Sequence, residues 1–95
     1  MHTYKATVIR WIDGDRLEAT IDLGFNIHLT RQVYLYGVNV VSDMAHKYCT
    51  SMAPVGSHVL LKMKTPYQAT VETPDGTDIG LALVRLGFGT TSKDT

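Results

Sequence analysis

Three oxygen-bearing side chains are the first candidates for chemistry in this chain. Asp13 and Asp15 flank Gly14 in the stretch DGD, and Asn39 supplies an amide oxygen further along. Carboxylate and amide oxygens are ligands for Ca²⁺, but this ion takes six or more of them. These residues therefore predict a weak metal site at best. We favour the simpler interpretation that Asp13-Gly14 forms a hairpin turn, because glycine tolerates positive φ.

Other catalytic arrangements find little support in the sequence. The four histidines lack the spacing of a zinc site, and neither a Ser-His-Asp arrangement nor a phosphate-binding glycine loop is recognisable. Cys49 falls on the apolar stripe of a predicted helix, so we expect a core residue there rather than a nucleophile. No cofactor is expected, apart from residual binding of Ca²⁺.

Composition and charge limit the class of protein. Nine basic residues balance nine acidic ones, which weighs against a general nucleic-acid binder because such proteins usually carry a basic excess. The single cysteine excludes an internal disulfide and fits a reducing compartment. The N-terminal stretch meets charge too early for a signal peptide, and no apolar run approaches a membrane span. We therefore expect a cytoplasmic protein that does not enter a membrane.

The elements that must position these residues begin with three strands. A high content of β-branched and aromatic residues predicts a strand over residues 4–12. Alternation of apolar and polar residues predicts two more, over residues 17–23 and 27–38. In the third strand, the apolar face comprises Ile27, Leu29, Val33 and Leu35, and the other face comprises His28, Thr30, Gln32, Tyr34 and Tyr36.

The period changes to that of a helix after Ser42, a residue type that caps helices. Two further strands follow, and a last helix begins at a Thr77 cap and ends at Gly87. The order β-β-β-α-β-β-α predicts a mainly β, α+β fold, and a small antiparallel barrel capped by helices is its economical form. We expect one domain over residues 1–89 and a flexible tail over 90–95.

Five segments within residues 4–89 resemble, in order, the staphylococcal nuclease-like (thermonuclease) family. They are ATVIRWIDGDRLEATIDLGFNI, VYLYGVN, the following helix, GSHVLLK and ATVETPDGTDIGLALVRLGFG. The DLGFNI insertion is similar to that of members carried by phages and mobile elements. The resemblance implies a five-stranded OB-fold barrel with helices on one side.

The resemblance also implies a chemistry, the calcium-dependent hydrolysis of phosphodiesters in DNA or RNA. In this family a glutamate activates the attacking water, and two aspartates hold the Ca²⁺. Two arginines neutralise the negative charge that develops on phosphorus. Metal and guanidinium groups stabilise the transition state, and the carboxylate removes a proton.

The family's catalytic groups are replaced in this chain. The family motif VRLYGIDAPE corresponds to VYLYGVNVVS in this chain. Tyr34 therefore occupies the position of the first arginine, Asn39 that of a calcium-binding aspartate and Ser42 that of the glutamate. The turn that carries the second arginine is reduced to a short turn containing Pro66, and Asp15 matches the remaining calcium aspartate. A charge-stabilising arginine or a general base typically contributes a factor of about 10² to 10⁴ to the rate. The resemblance therefore implies a degenerate active site.

Two charged residues near the replaced positions, Arg31 and Asp43, are the candidate substitutes for the lost catalytic groups. Arg31 lies three residues before Tyr34, so period 2 places it on the opposite face of the strand. Asp43 directly follows Ser42 and is the one carboxylate that could turn towards the site. The alternative hypothesis is a weak or altered calcium-dependent nuclease that uses Asp13, Asp15 and Asp43.

The favoured hypothesis is a non-catalytic, nuclease-derived OB-fold binding module. Its ligand-binding candidates are Gln32, Tyr34, Tyr36 and Asn39, because an aromatic surface in place of charge suits base stacking or a protein contact. The partner would be a protein, or a nucleotide or nucleic acid. The phage-like character would fit an accessory or inhibitory protein that acts on a host factor. Pairing of edge strands into a homo-oligomer is a third hypothesis.

Overall fold

Alternating apolar residues build most of the strands in this chain. The computed structural model describes residues 2–91. Its elements are β1 (His2–Asp13), β2 (Arg16–Asp22), β3 (His28–Leu35), β4 (Val38–Val40), α1 (Met44–Met52), β5 (His58–Met63), β6 (Gln68–Glu72), α2 (Ile79–Arg85) and β7 (Gly89–Thr91). Five strands close into a barrel in the order β1-β2-β3-β6-β5. The predicted mainly β fold, with an OB-like barrel and two helices, is therefore confirmed.

The barrel closes through a short parallel pairing, whereas the sequence predicted an antiparallel barrel. Tyr34 pairs with Gln68 and Leu35 with Ala69, and β3 meets β6 nowhere else. The other strand pairings of the barrel are antiparallel. Strand β3 is longer than this closure, so most of it is bound to β2 alone.

A small second sheet lies beside the barrel, and the sequence did not predict it. The predicted third strand is interrupted at Gly37, which has a φ of 76°. The chain then forms β4, which pairs with β7. Thr90 and Thr91, predicted to belong to a flexible tail, lie in β7 opposite Asn39 and Val38. The ordered chain thus extends beyond residue 89, while residues 92–95 of the predicted tail lie outside the described residues.

The core fills the barrel and the space beneath the helices. Among its most buried side chains are Val8, Leu17, Val33, Leu61, Val71, Ile79 and Leu83. The buried Trp11 indole N–H donates to the carbonyl of Ala53, at 3.0 Å, and so ties β1 to the end of α1. The two helices are short, and no helix within residues 2–91 is long and apolar enough to cross a membrane.

The β2–β3 hairpin carries apolar residues that the alternation placed on the buried face. Ile27 and Leu29 are in fact 55% and 38% exposed, and Phe25 at the hairpin tip is 98% exposed. The reason is geometric, because β6 covers β3 only at its C-terminal end. Alternation thus predicted the correct face of Leu29 but not the absence of a covering strand.

The helix caps also differ in detail. Asp78, rather than Thr77, caps α2, since its carboxylate accepts a hydrogen bond from the Leu81 N–H at 3.1 Å. Ser42 does support the start of α1, because its hydroxyl oxygen accepts from the Met44 N–H at 3.1 Å. Leu86, at the C-terminal end of α2, is half exposed.

Candidate functional site

The DGD turn joins β1 to β2 and packs against α1. Asp13 and Arg16 are paired, and Gly14 and Asp15 form the two-residue connection. Gly14 does not have the positive φ that the sequence suggested. A Cβ at this position would instead lie 2.8 Å from the Ala45 Cβ and 3.0 Å from Val40 Cγ1. Glycine is therefore required here for the close approach of the turn to the helix.

The two aspartates of the turn are electrostatically coupled. The Asp15 N–H donates to Asp13 Oδ1 at 3.3 Å. Burial, together with the hydrogen bond and negative charge of Asp13, raises the pKa of Asp15 to about 6. Hydrogen bonding from Asp15 and the nearby Arg16 guanidinium lower the pKa of Asp13. At mildly acidic pH the pair of aspartates therefore carries a proton. The protonated pair has less negative charge with which to attract a cation.

Arg16 brings a positive charge to the position of Tyr34, which sequence reasoning overlooked. The two residues lie opposite each other on β2 and β3. The guanidinium carbon is 5.7 Å from the centroid of the Tyr34 ring, and Nη1 donates to the phenol oxygen at 3.4 Å. Nη2 donates to Asp13 Oδ2 at 3.2 Å. The two-residue turn after Asp13 fixes the pairing of Arg16 with Asp13, but the pairing of Arg16 with Tyr34 depends on the register of the β2–β3 hairpin.

A cleft of about 370 Å³ lies where β3 meets β6. Its lining residues are Asp15, Tyr34, Leu35, Val38, Asn39, Tyr67 and Gln68. Of the predicted ligand-binding residues, Tyr34 and Asn39 therefore meet in one cleft, together with Asp15. Gln32 and Tyr36 do not line it. We call this group of seven residues the polar–aromatic cleft.

Tyr67 and Gln68 are the members of the cleft that the sequence did not single out. Their position follows from the parallel closure, in which the Tyr34 N–H donates to the Tyr67 carbonyl at 2.8 Å and Gln68 lies beside Tyr34. Tyr67 is 66% exposed and Tyr34 is 41% exposed. Because a motif along one strand carries no information on which strands pair, only the topology places these residues together.

A second cavity, of about 510 Å³, lies on the other side of Asp15. Its lining residues are Ile12, Asp13, Gly14, Asp15, Val40, Ser42, Asp43 and His46. Ser42, at the position that the resemblance assigns to the general base, uses its hydroxyl oxygen to accept the Met44 N–H. Asp43 borders the same cavity as both turn aspartates. Within residues 2–91, however, no three acidic, histidine or cysteine side chains converge closely enough to hold a metal ion.

Pro66 and Arg31 lie away from the polar–aromatic cleft. The Arg31 Nη1 donates to the Pro66 carbonyl at 3.3 Å, and both residues border a separate groove at the end of the barrel. The prediction that Arg31 lies on the face opposite Tyr34 is thus confirmed. Neither residue contributes a positive charge to the cleft.

Cys49 is a core residue, as predicted. Its side chain is fully buried beneath the DGD turn, where Sγ donates to the Gly14 carbonyl at 3.6 Å. Burial is the main reason that the pKa of the thiol is raised to about 12. A thiol of this kind remains protonated at neutral pH and is a poor nucleophile.

Comparison of the chain with models of known protein families finds no match, and comparison with curated proteins finds none. The fold and the site together define a class, namely an OB-like barrel with a polar–aromatic cleft at the β3–β6 closure. The expectation of nuclease ancestry continues to rest on the sequence motifs.

Proposed function

We propose that this protein is a non-catalytic, nuclease-derived binding module that engages a nucleotide-containing ligand or a protein through the polar–aromatic cleft. The observation that carries the proposal is the composition of this cleft. Two exposed phenol rings, Tyr34 and Tyr67, and two amides, Asn39 and Gln68, surround a single carboxylate. Such a set of groups is suited to recognising a ligand rather than to breaking a phosphodiester bond.

The two rings favour a ligand with a flat face. Tyrosine stacks on nucleobases, and each stacked base is typically worth about 1–3 kcal/mol. Amides such as those of Asn39 and Gln68 both donate and accept, so they match the mixed donors and acceptors on a base edge. An aromatic or amide side chain of a protein partner offers the same features. The cleft therefore supports recognition of planar, polar groups.

The charges around the cleft do not favour phosphate. Asp15 lies in the cleft, and Arg16, the nearest cation on β2, already binds Asp13 and the Tyr34 hydroxyl. A phosphate would have to displace one of these contacts and approach a carboxylate. We accordingly expect affinity to come from the ring of a nucleotide, with a weak dependence on salt.

The positions assigned to the catalytic groups support the non-catalytic part of the proposal. Tyr34 stands where the resemblance assigns an arginine, the Ser42 hydroxyl oxygen accepts the Met44 N–H, and Pro66 provides no cationic side chain. The phage-like DLGFNI insertion supports an accessory or inhibitory role towards a host factor. The alternative, a weak calcium-dependent nuclease, draws its support from Asp13, Asp15 and Asp43, which border one cavity.

The test combines a small ligand with a protein search. Isotope-labelled protein is titrated with adenosine and with adenosine 5′-monophosphate while its amide resonances are followed, and the same protein serves as bait for a bacterial lysate. We expect shifts at Asn39 and Gln68, or capture of a partner, to be lost in the Tyr34→Ala, Tyr67→Ala double variant.

The matched control is Phe25→Ala, which removes an exposed aromatic ring outside the cleft. This variant should bind as the unmodified protein does. If neither nucleoside nor any lysate protein binds in a way that depends on Tyr34 and Tyr67, the proposed function is wrong.

A further inference from the structure

Strand β3 has an open edge on the side that faces β6. The Tyr34 N–H points to this side, where it bonds to the Tyr67 carbonyl. Backbone groups alternate in direction along a strand. The N–H and C=O groups of Thr30 and Gln32 therefore point to the same side of β3 as the Tyr34 N–H. In the described part of the chain, residues 28–32 pair with β2 and with no other strand. The edge therefore presents donors and acceptors in the alternating pattern that another strand would satisfy.

An apolar groove runs beside this edge and is separate from the polar–aromatic cleft. It has a volume of about 410 Å³ and includes the side chains of Ile21, Leu23, Leu29 and Met63. Leu23 and Leu29 are 42% and 38% exposed. Their exposure leaves apolar surface directly beneath the open backbone edge.

The groove has a basic rim. Arg31 and Lys64 line it, and no carboxylate does so among the residues that the structure describes. Arg31 lies on the same face of β3 as Leu29, because both share the parity of the buried Val33. The groove side of the open edge thus presents an apolar side chain, Leu29, next to a basic one, Arg31.

We propose that the open edge of β3 binds an extended segment of a partner protein that carries aliphatic and acidic side chains. The segment adds a strand to the barrel through backbone hydrogen bonds at Thr30 and Gln32. Its aliphatic side chains enter the groove beside Leu29, and a carboxylate pairs with Arg31. Strand addition of this kind derives affinity from the main chain and specificity from alternate side chains.

Two other occupants fit less well. A DNA backbone offers phosphate acceptors but no donors for the carbonyls of the edge. The groove includes the rings of His2 and Tyr4, but its lining next to the edge, at Leu23 and Leu29, is aliphatic. A second copy of the chain, paired through the same edge about a two-fold axis, would bring the two Arg31 side chains opposite or diagonal to each other, where like charges repel. Charge therefore favours an acidic polypeptide.

This surface is distinct from the polar–aromatic cleft. Tyr34 marks the boundary, because its N–H is already bonded to Tyr67 and the open edge begins before it. The proposal consequently adds a second binding surface to the proposed function and does not depend on what the cleft binds.

The test is selection of a displayed library of random heptapeptides on the whole protein. Enriched peptides should alternate aliphatic and polar residues and carry net negative charge. Their affinity should fall about tenfold or more in Arg31→Glu, where charge repulsion replaces attraction. It should fall similarly in Thr30→Pro, which removes an outward N–H without breaking a backbone hydrogen bond to β2, although the 3.4 Å hydrogen bond between the Thr20 and Thr30 hydroxyls is lost.

The control is Lys47→Glu, which reverses an exposed charge on α1 and should leave peptide affinity unchanged. If Thr30→Pro does not fold, Arg31→Glu decides, and the same selection on that variant should enrich basic peptides. The proposal is overturned if selection enriches no acidic peptides, or if the enriched peptides bind Arg31→Glu as tightly as the unmodified protein. Tighter binding of a thymidine oligonucleotide, or self-association that Arg31→Glu abolishes, would also overturn it.

Discussion

The guanidinium group of Arg16 lies over the ring of Tyr34, with 5.7 Å between the guanidinium carbon and the ring centroid. The two residues are cross-strand partners, and Tyr34 lines the cleft. The resemblance assigns an arginine to position 34, and in this chain a guanidinium approaches that position from the neighbouring strand instead. Because Asp13 and the Tyr34 hydroxyl both accept from it, this cation positions an aromatic ring.

The contact between Arg16 and Tyr34 should stabilise the fold slightly. Cation–π contacts at exposed sites are worth about 0.5–1 kcal/mol. A double-mutant cycle with Arg16→Gln and Tyr34→Leu, followed by urea denaturation, should give a coupling free energy in that range. Additive effects of the two substitutions would show that the contact is energetically neutral.

Asp15 should make the stability of the protein depend on pH. Its pKa is raised to about 6 in the folded state from an ordinary value of 3.8, so the folded protein binds a proton more tightly than the unfolded chain does. The contribution of Asp15 is therefore most favourable below about pH 4 and is lost as the pH rises through about 6. Asp15→Asn, which mimics the protonated acid, should stabilise the protein at neutral pH but not near pH 4.

The direct readout is the titration of the Asp15 carboxyl carbon by NMR. A midpoint near 6 is expected, and the same resonance should move when Asp13 is changed to Asn because the two groups interact. A midpoint near the ordinary value of 3.8 would show that the carboxyl is not desolvated.

Gly14→Ala should destabilise the protein through overcrowding. The added methyl group would meet the Ala45 Cβ at 2.8 Å and the Val40 side chain at 3.0 Å. Overpacking of this kind typically costs about 1–3 kcal/mol. Thermal or urea denaturation measures the loss. In an Ala45→Gly background the same substitution should cost less, and an equal cost in both backgrounds would contradict the crowding explanation.

Removal of β7 should weaken the attachment of β4. A chain that ends at Gly89 loses the pairing of Thr90 with Asn39 and of Thr91 with Val38. Because a net backbone hydrogen bond is worth about 0.5–1.5 kcal/mol, we expect a loss of stability of about 1 kcal/mol or more. The matched control ends at Thr91. Equal denaturation midpoints for the two chains would show that β7 contributes nothing.

The sequence predicted the barrel because its signals are local. Alternation in β2 and helical spacing around Ala45 and Cys49 each report on one element and on the face that it buries. Strand β7 escaped notice because Gly-Thr-Thr is short and carries no apolar period. Its order depends on pairing with β4, which no local pattern reveals.

The candidate site was predicted only in part, for the same reason. Tyr34, Asn39 and Asp15 were singled out and do share a cleft. Tyr67 and Gln68 come from a distant strand, and only the parallel closure of the barrel brings them to Tyr34. Leu29 shows the converse limit, because alternation indicates the face of a side chain but not whether another strand covers it.

The central claim is that this barrel binds a ligand without catalysis, and a hydrolysis assay tests it most directly. Excess protein is incubated with end-labelled single-stranded DNA and RNA in Ca²⁺, and the unmodified protein is compared with Asp15→Ala and with the Phe25→Ala control. We predict that all three give the same background. Calcium-dependent cleavage by the unmodified protein and by Phe25→Ala, but not by Asp15→Ala, would show that the protein is a nuclease.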